Sequence, residues 1–337
     1  MSKRPPSNRI AVLIAVLIAD RIAVLIADRI ASPIAMAMLL VSVFAAGTVS
    51  VFGQQSATQG GTAAKDWAYL ENDHLKVGVL RSHGGAIGYL APRGLGKNTL
   101  NHYDHGRLIQ QSYYGDEDGS RWADKPWRYN PVQGGDYRGA AATVVTFEAA
   151  KDLIHVKTIP RHWASGKSLD DCLMEQWIML EGAVVKVRYR FTYNGQHAHA
   201  PRHQETPAVF VDPGLSTLVT YGGDRPWGNG TLTRKRPGWP NEPIVMAEAW
   251  AAYVGDDDYG VGVYVPGVTE ATAYRYQGGS GSDCSYIAPL RTFPLTPGLT
   301  FEYVAYFTVG DVDTIRERFG QLHLGQLQAK SPQPQPK

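Results

Sequence analysis

From Leu75 to Val309 the chain is a succession of short segments in which apolar and polar residues alternate or β-branched residues cluster, and only one later stretch carries helical spacing. Alternation with a period of two puts one face of a segment against a core and the other away from it, which is the signature of a strand. Leu75 to Leu80 alternates, and Ala141 to Ala149 is rich in β-branched residues. Cys172 to Leu180 and Val184 to Tyr193 predict a hairpin around Glu181-Gly182. Further strands are expected over 208–211, 250–254, 260–265, 271–276 and 300–309. Asp311 is placed as an N-cap before Val312, Ile315 and Phe319, so one helix is expected over 311–321. Many strands in series with a single late helix predict an all-β fold, antiparallel sheets stacked as a sandwich with one short C-terminal helix.

The ends of the 337-residue chain read differently from this middle. Met1-Ser-Lys-Arg is followed by a tandem repeat of Arg-Ile-Ala-Val-Leu-Ile-Ala-Asp and then by an apolar stretch from Pro33 to Phe52. A basic start, an apolar centre and small residues at the exit are the marks of a secretory signal, so residues 1–52 are expected to be a targeting segment and the protein secreted or periplasmic. The alternative is an uncleaved apolar anchor, because about twenty apolar residues are long enough to span a bilayer. This segment would be the chain's one link to a membrane. Residues 53–65 form a polar linker of small residues, and 325–337, with their Pro-Gln alternation, a disordered tail. That leaves 66–324 as one β-sandwich domain, within the size such folds reach.

Thirty-three Lys and Arg against thirty-one Asp and Glu give a net charge of +2, too small a field to hold a polyanion, so nucleic acid is not an expected partner. Eight Trp and eighteen Tyr offer flat aromatic surface, on which the C–H faces of sugar rings pack, although aromatic residues also dominate cores. Cys172 and Cys284 are the only cysteines, and the sequence leaves their pairing open. Neither Cys-x-x-Cys nor His-Glu-x-x-His occurs, and no cofactor or metal is expected.

Four stretches carry a likeness to a known family. They are Leu70 to Val77 with the Gly84-Gly85 turn leading to Leu90, then Asn101 to Tyr114 with Asp104-His105-Gly106-Arg107, then Trp127 to Asp136, and last the segment Leu173 to Tyr193 followed by Arg202-His203-Gln204-Glu205. In this order they resemble the galactose-mutarotase-like superfamily, whose β-supersandwich is shared by aldose 1-epimerases and by domains of glycoside hydrolases and polysaccharide lyases. The resemblance implies that Arg107 faces a sugar and that His203 takes the place of the mid-domain histidine acid. The chain departs from the pattern around Glu248, where the epimerases' carboxylate base has no clear counterpart.

Three regions concentrate groups able to do chemistry. Asn101, Asp104, Arg107, Gln110 and Tyr114 fall within fourteen residues and match the donor and acceptor needs of sugar hydroxyls, or else Asp104 and Arg107 form an ion pair closing a β-corner. His197, His199, His203 and Glu205 form the second region. Three histidines so close invite a metal, but acid/base work by His203 and Glu205 at a sheet edge is the preferred role. In the third, Trp227 and Trp239 are candidates for an aromatic wall, and Glu248 opens a strand. Glu175, flanked by apolar residues on the hairpin, is a further candidate carboxylate.

The function expected from these readings is an exported enzyme that cleaves a glycosidic bond in a poly- or oligosaccharide by acid/base catalysis. Hydrolysis would use Glu205 and Glu248 as the carboxylate pair, with Glu175 or Asp104 in reserve. A lyase would use His203 or Tyr114 as base beside Arg107. The alternatives are an aldose 1-epimerase-like enzyme and a non-catalytic carbohydrate-binding domain.

Overall fold

The computed structural model describes residues 66–94 and 96–330. The expected targeting segment, the linker and the last residues of the expected tail lie outside them. Among the described residues no helix is long and apolar enough to cross a membrane.

The chain forms two large antiparallel sheets and one small one. The strands run β1 (Trp67–Glu71), β2 (Leu75–Leu80), β3 (Ala86–Pro92), β4 (Ile109–Ser112), β5 (Glu117–Trp122), β6 (Lys125–Arg128) and β7 (Pro131–Val132). Next come β8 (Thr143–Ala149), β9 (Ile154–Ile159), β10 (Arg161–His162), β11 (Cys172–Glu181), β12 (Val184–Tyr193) and β13 (Arg202–Val211). The series ends with β14 (Thr217–Thr220), β15 (Thr233–Lys235), β16 (Glu242–Val245), β17 (Trp250–Val254), β18 (Tyr259–Tyr264), β19 (Glu270–Tyr276), β20 (Cys284–Phe293) and β21 (Leu299–Asp311). The first sheet has the order β1-β2-β3-β4-β13-β20-β19-β16, with β7 beside β4 and β10 beside β7. The second has the order β15-β14-β17-β18-β21-β12-β11-β9-β8, and β5 and β6 pair alone. The expected all-β antiparallel sandwich is therefore what the chain forms.

Period-two burial explains how the layers meet. Val209, Val211 and Ile287 of the first sheet and Val187, Tyr253 and Phe307 of the second belong to one apolar core between the sheets. Alternate residues face the other way. On the first sheet these are Ala208, Phe210, Tyr286 and Ala288, which form a separate cluster on its outer face. On the second sheet Trp250, Ala252 and Val254 join Val312, Ile315 and Phe319 of the helix α1 (Val312–Lys330). Gly262 permits this docking, because a Cβ there would lie 2.5 Å from Ile315 Cγ2. Helix α1 is longer than expected. It runs past Gln321 to Lys330, through residues read from the sequence as tail, because Gly320 and Gly325 do not end it when its first turns are anchored on the sheet.

One irregularity positions the site. Along β13, Glu205 pairs with Leu290 but Val209 pairs with Ile287, so β13 uses one more residue than β20 over this span. The interruption contains Pro207, which has no N–H to give to a ladder. An extra residue reverses which face the neighbouring side chains take. Without it Glu205 would share the core-facing phase of Val209; with it, Glu205 falls on the outer face with Ala208 and Phe210.

Candidate active site

The outer face of the first sheet is a cleft, with Glu205 on its floor among Ser112, Tyr114, Ala208, Phe210 and Tyr286. Its sides carry Trp122, Trp127 and Trp163 together with Trp239, Asn241 and Tyr274. Its enclosed volume is about 160 Å³, below the roughly 300–1,000 Å³ of pockets that swallow a drug-sized ligand. A ligand here would lie along an open trough.

Glu205 is 9% exposed. The Tyr114 hydroxyl donates to its Oε1 at 2.9 Å, and the Tyr286 hydroxyl donates to the same oxygen. Burial pushes the Glu205 carboxyl above the ordinary glutamate value, and the hydrogen bonds from Tyr286, Ser112 and Tyr114 only partly oppose it. Burial, with the Glu205 carboxylate beside them, holds Tyr114 and Tyr286 well above the usual tyrosine range. Both phenols therefore stay protonated and remain donors.

The neighbouring residue braces this group where the strand ladder is broken. Gln204, fully buried, accepts the Tyr114 N–H at 2.6 Å and donates to the Tyr114 carbonyl at 2.9 Å and to the Phe293 carbonyl at 3.1 Å. An amide side chain thus does the pairing that backbone would do in an unbroken ladder. The loop read from Trp127 to Asp136 braces the other side. Asn130 Nδ2 donates to the Tyr113 carbonyl at 2.8 Å, Gln133 Oε1 accepts from Gln111 N at 3.1 Å, and Gly134 N donates to Gln110 Oε1 at 2.7 Å. Gly134 leaves no room for a side chain, since a Cβ would meet the His105 carbonyl oxygen at 2.0 Å.

The other residues singled out in the sequence separate into groups. Gln110, Tyr114, Glu205 and Trp239 line the cleft. Trp239 is 56% exposed and stands edge-on to Tyr274 at 4.7 Å and to Tyr276 at 5.2 Å. Asp104 and Arg107 form the β-corner ion pair, at 3.5 Å. Arg107 also donates to the Ser282 carbonyl and covers the rings of Tyr103 and Tyr276, so it sits behind the tyrosine on which Trp239 packs. Asn101 is buried and ties two loops, donating to the Asp283 carbonyl at 2.9 Å and accepting from Tyr103 N at 3.0 Å.

Three candidates belong elsewhere. Glu248, fully buried, lies between helix α1 and the second sheet, where Arg316 pairs with it at 2.6 Å and Trp250 Nε1 donates to it at 2.8 Å. Trp227 lies on the same side, stacked on His323 of the helix at 4.7 Å. Glu175 is on the second sheet between Arg190 at 3.5 Å and Lys157 at 3.8 Å. Each of these acids satisfies a cation within its own layer, so neither stands across the cleft from Glu205. His203 is exposed, bonded through Nδ1 to the Thr292 hydroxyl at 3.0 Å, and is not among the residues lining the cleft.

The histidine-rich stretch does make a cluster, in which ligand atoms of Asp116, His197 and His199 lie within 4.8 Å of one another. Both nitrogens of His199 are engaged, however. Nδ1 accepts the Asp116 N–H at 3.2 Å, and Nε2 lies 3.3 Å from the Tyr193 hydroxyl, which donates to the His197 carbonyl. Burial, with His197 adjacent, lowers the His199 pKa and favours the neutral ring. These contacts give the cluster a structural role. Cys172 and Cys284 are buried and free.

Sequence reasoning missed Tyr286, because Pro289, Arg291 and a Gly-Ser run before Cys284 hid strand β20. It also missed Trp122 and Trp163 and took Trp127 only as the start of the loop to Asp136. For the two hairpin tryptophans the signal between them was the Ala123-Asp124 pair. Both residues take positive φ, 47° and 59°, as a two-residue hairpin turn requires.

No protein-family model and no curated protein matches the chain. Solved structures do. A galactose mutarotase-like protein from Lactobacillus casei ATCC 334 is 13% identical and aligns over 72% of this chain and 100% of its own, with a TM-score of 0.50. A galactose mutarotase related enzyme from Lactobacillus acidophilus is 12% identical over 73% of this chain and 97% of its own, with a TM-score of 0.48. The first of these likenesses, together with the strand order and the outward-facing cleft, shows that the chain has the galactose-mutarotase-like fold.

Proposed function

We propose that this chain is a carbohydrate-active enzyme in which Glu205 moves a proton at the oxygen on a sugar's anomeric centre. The observation that carries the reading is a carboxyl buried on the floor of an aromatic cleft and gripped by two phenol hydroxyls. Burial lets Glu205 hold its proton to higher pH than an ordinary glutamate, the direction a general acid needs. When the proton passes to the departing oxygen and the C–O bond breaks, the charge left on Glu205 is met by hydroxyl donors already in place. Such pre-aimed donors cost no reorganisation at the moment of reaction.

Cleavage of a glycosidic bond is the preferred reaction, since an open trough admits a linked sugar. The two-carboxylate form of hydrolysis requires acids about 5–5.5 or 6.5–9.5 Å apart across the bond. Among the described residues lining the cleft, Glu205 is the one carboxylate. This counts against paired-carboxylate hydrolysis and favours elimination, in which the group that takes the proton from carbon is other than the two phenols held protonated beside Glu205. The test is to incubate the purified chain with a polysaccharide panel, following reducing ends and near-ultraviolet absorbance. Elimination gives both signals, hydrolysis gives reducing ends alone, and polarimetry on free aldoses reads epimerisation. If none of these activities depends on Glu205, the catalytic reading is lost and a binding domain remains.

A further inference from the structure

Two aromatic walls flank Glu205, and the strand order sets how far apart they stand. On one side β20 and then β19 follow β13, and Trp239 packs on Tyr274 and Tyr276 of β19. On the other side come β4, β7 and β10, and Trp163 follows directly on β10 with its N–H donating to the Asn130 carbonyl at 2.9 Å. Strands in a sheet are about 4.8 Å apart, so the strands that carry the walls, β19 and β10, run roughly 10 Å and 14 Å to either side of β13. A six-membered ring of roughly 1.5 Å bonds spans only a fraction of either distance. A sugar resting on one wall therefore cannot also rest on the other.

The far wall is also built for exposure. Trp163 lies over the bare Cα of Gly106, where a Cβ would come within 2.5 Å of the indole. Trp122 stands edge-on to Trp163 at 6.0 Å and to Trp127 at 4.8 Å. Trp122 and Trp127 come from the β5–β6 hairpin, which pairs with neither large sheet. All three rings keep part of their surface open beside the cleft instead of entering a core.

Resting on the reading of Glu205 as the sugar-facing acid, we infer that the trough takes a saccharide chain of at least three linked rings laid across the strands. One ring lies on Trp239, one over Glu205 and one on the Trp163–Trp122 wall. The substrate class is then an oligo- or polysaccharide, not a free monosaccharide.

The test uses the full chain carrying Glu205→Gln, titrated by calorimetry with gluco-, manno- and galacturono-oligosaccharides of one to five rings. In at least one series affinity should rise tenfold or more from one ring to three. Trp163→Ala and Trp239→Ala should each weaken three-ring binding about three- to tenfold, the usual worth of one aromatic face, while changing single-ring binding less than twofold. Trp239→Ala, on an exposed side chain, keeps the test open if Trp163→Ala does not fold. Affinity independent of length, equal losses for short and long ligands, or no binding in any series would overturn the inference. Full turnover by Glu205→Gln with length dependence intact would instead remove the catalytic reading and leave the trough standing.

Discussion

Arg316→Ala should cost this protein far more stability than activity, and the contacts of Glu248 say how much. Four donors reach that carboxylate: Trp227 N at 2.7 Å, Trp250 Nε1 at 2.8 Å, and Arg316 through Nε at 3.0 Å and Nη2 at 2.6 Å. Arg316 supplies two of the four and the only opposite charge among them, while Glu248 has 0% of its side chain exposed. Stripping a buried carboxylate of its cation costs about 3–5 kcal/mol. At about 2–4 °C per kcal/mol for a domain of this size class, the melting temperature should fall by roughly 6–20 °C. Adding Glu248→Gln to Arg316→Ala should recover part of this loss, since it removes the stranded charge. Denaturant unfolding of the two single variants and the double variant measures the coupling, and turnover on an active substrate should stay near wild type wherever the protein is folded. A loss under 1 kcal/mol for Arg316→Ala would refute the ion-pair argument. A folded but inactive Glu248→Gln would refute its confinement to structure.

Glu205→Gln should lower turnover by about a hundredfold or more with the fold retained, the scale of losing a general acid, as steady-state kinetics beside circular dichroism will read. The same variant tests the pH dependence. Because the folded Glu205 pKa is raised, the native state holds a proton that the unfolded chain has released above the ordinary glutamate value, so this group's contribution is present at low pH and lost as pH rises. Wild type should therefore lose stability relative to Glu205→Gln as pH rises above the ordinary glutamate range, and the opposite trend would contradict the burial of its charge. His203→Ala should keep turnover within about fivefold of wild type, since its exposed ring is bonded to Thr292 and is not among the residues that line the cleft. A hundredfold loss would restore it as a proton carrier.

The hairpin of β11 and β12 was legible because β12 alternates from Val185 to Tyr193, β11 is a long run rich in apolar residues, and Gly182, with φ 58°, marks the turn. β20 was not, because its outer residues Tyr286 and Ala288 and its inner residue Ile287 are all buried, so no alternation of polarity survives. Glu205 was found through the density of polar groups after the hairpin, but its partner Tyr286 is eighty-one residues away and joins it only through the pairing of β13 with β20. Glu248 looked like a cleft acid because it precedes an apolar strand. That strand, β17, is buried on both faces, and only the docking of α1 decides which layer receives the acid.

The bulge in β13 makes the site depend on a count as well as on residue types. Removing a single residue between Glu205 and Val209 would leave both large sheets with the same strands in the same order, yet it would turn the carboxyl inward onto Val77, Ile109 and their neighbours. Nothing in the core between the sheets is built to receive it. A one-codon deletion there would thus strike folding and chemistry together, whereas most substitutions on the trough floor would strike chemistry alone. In descendants of this gene the length of that short segment should be held more tightly than its spelling.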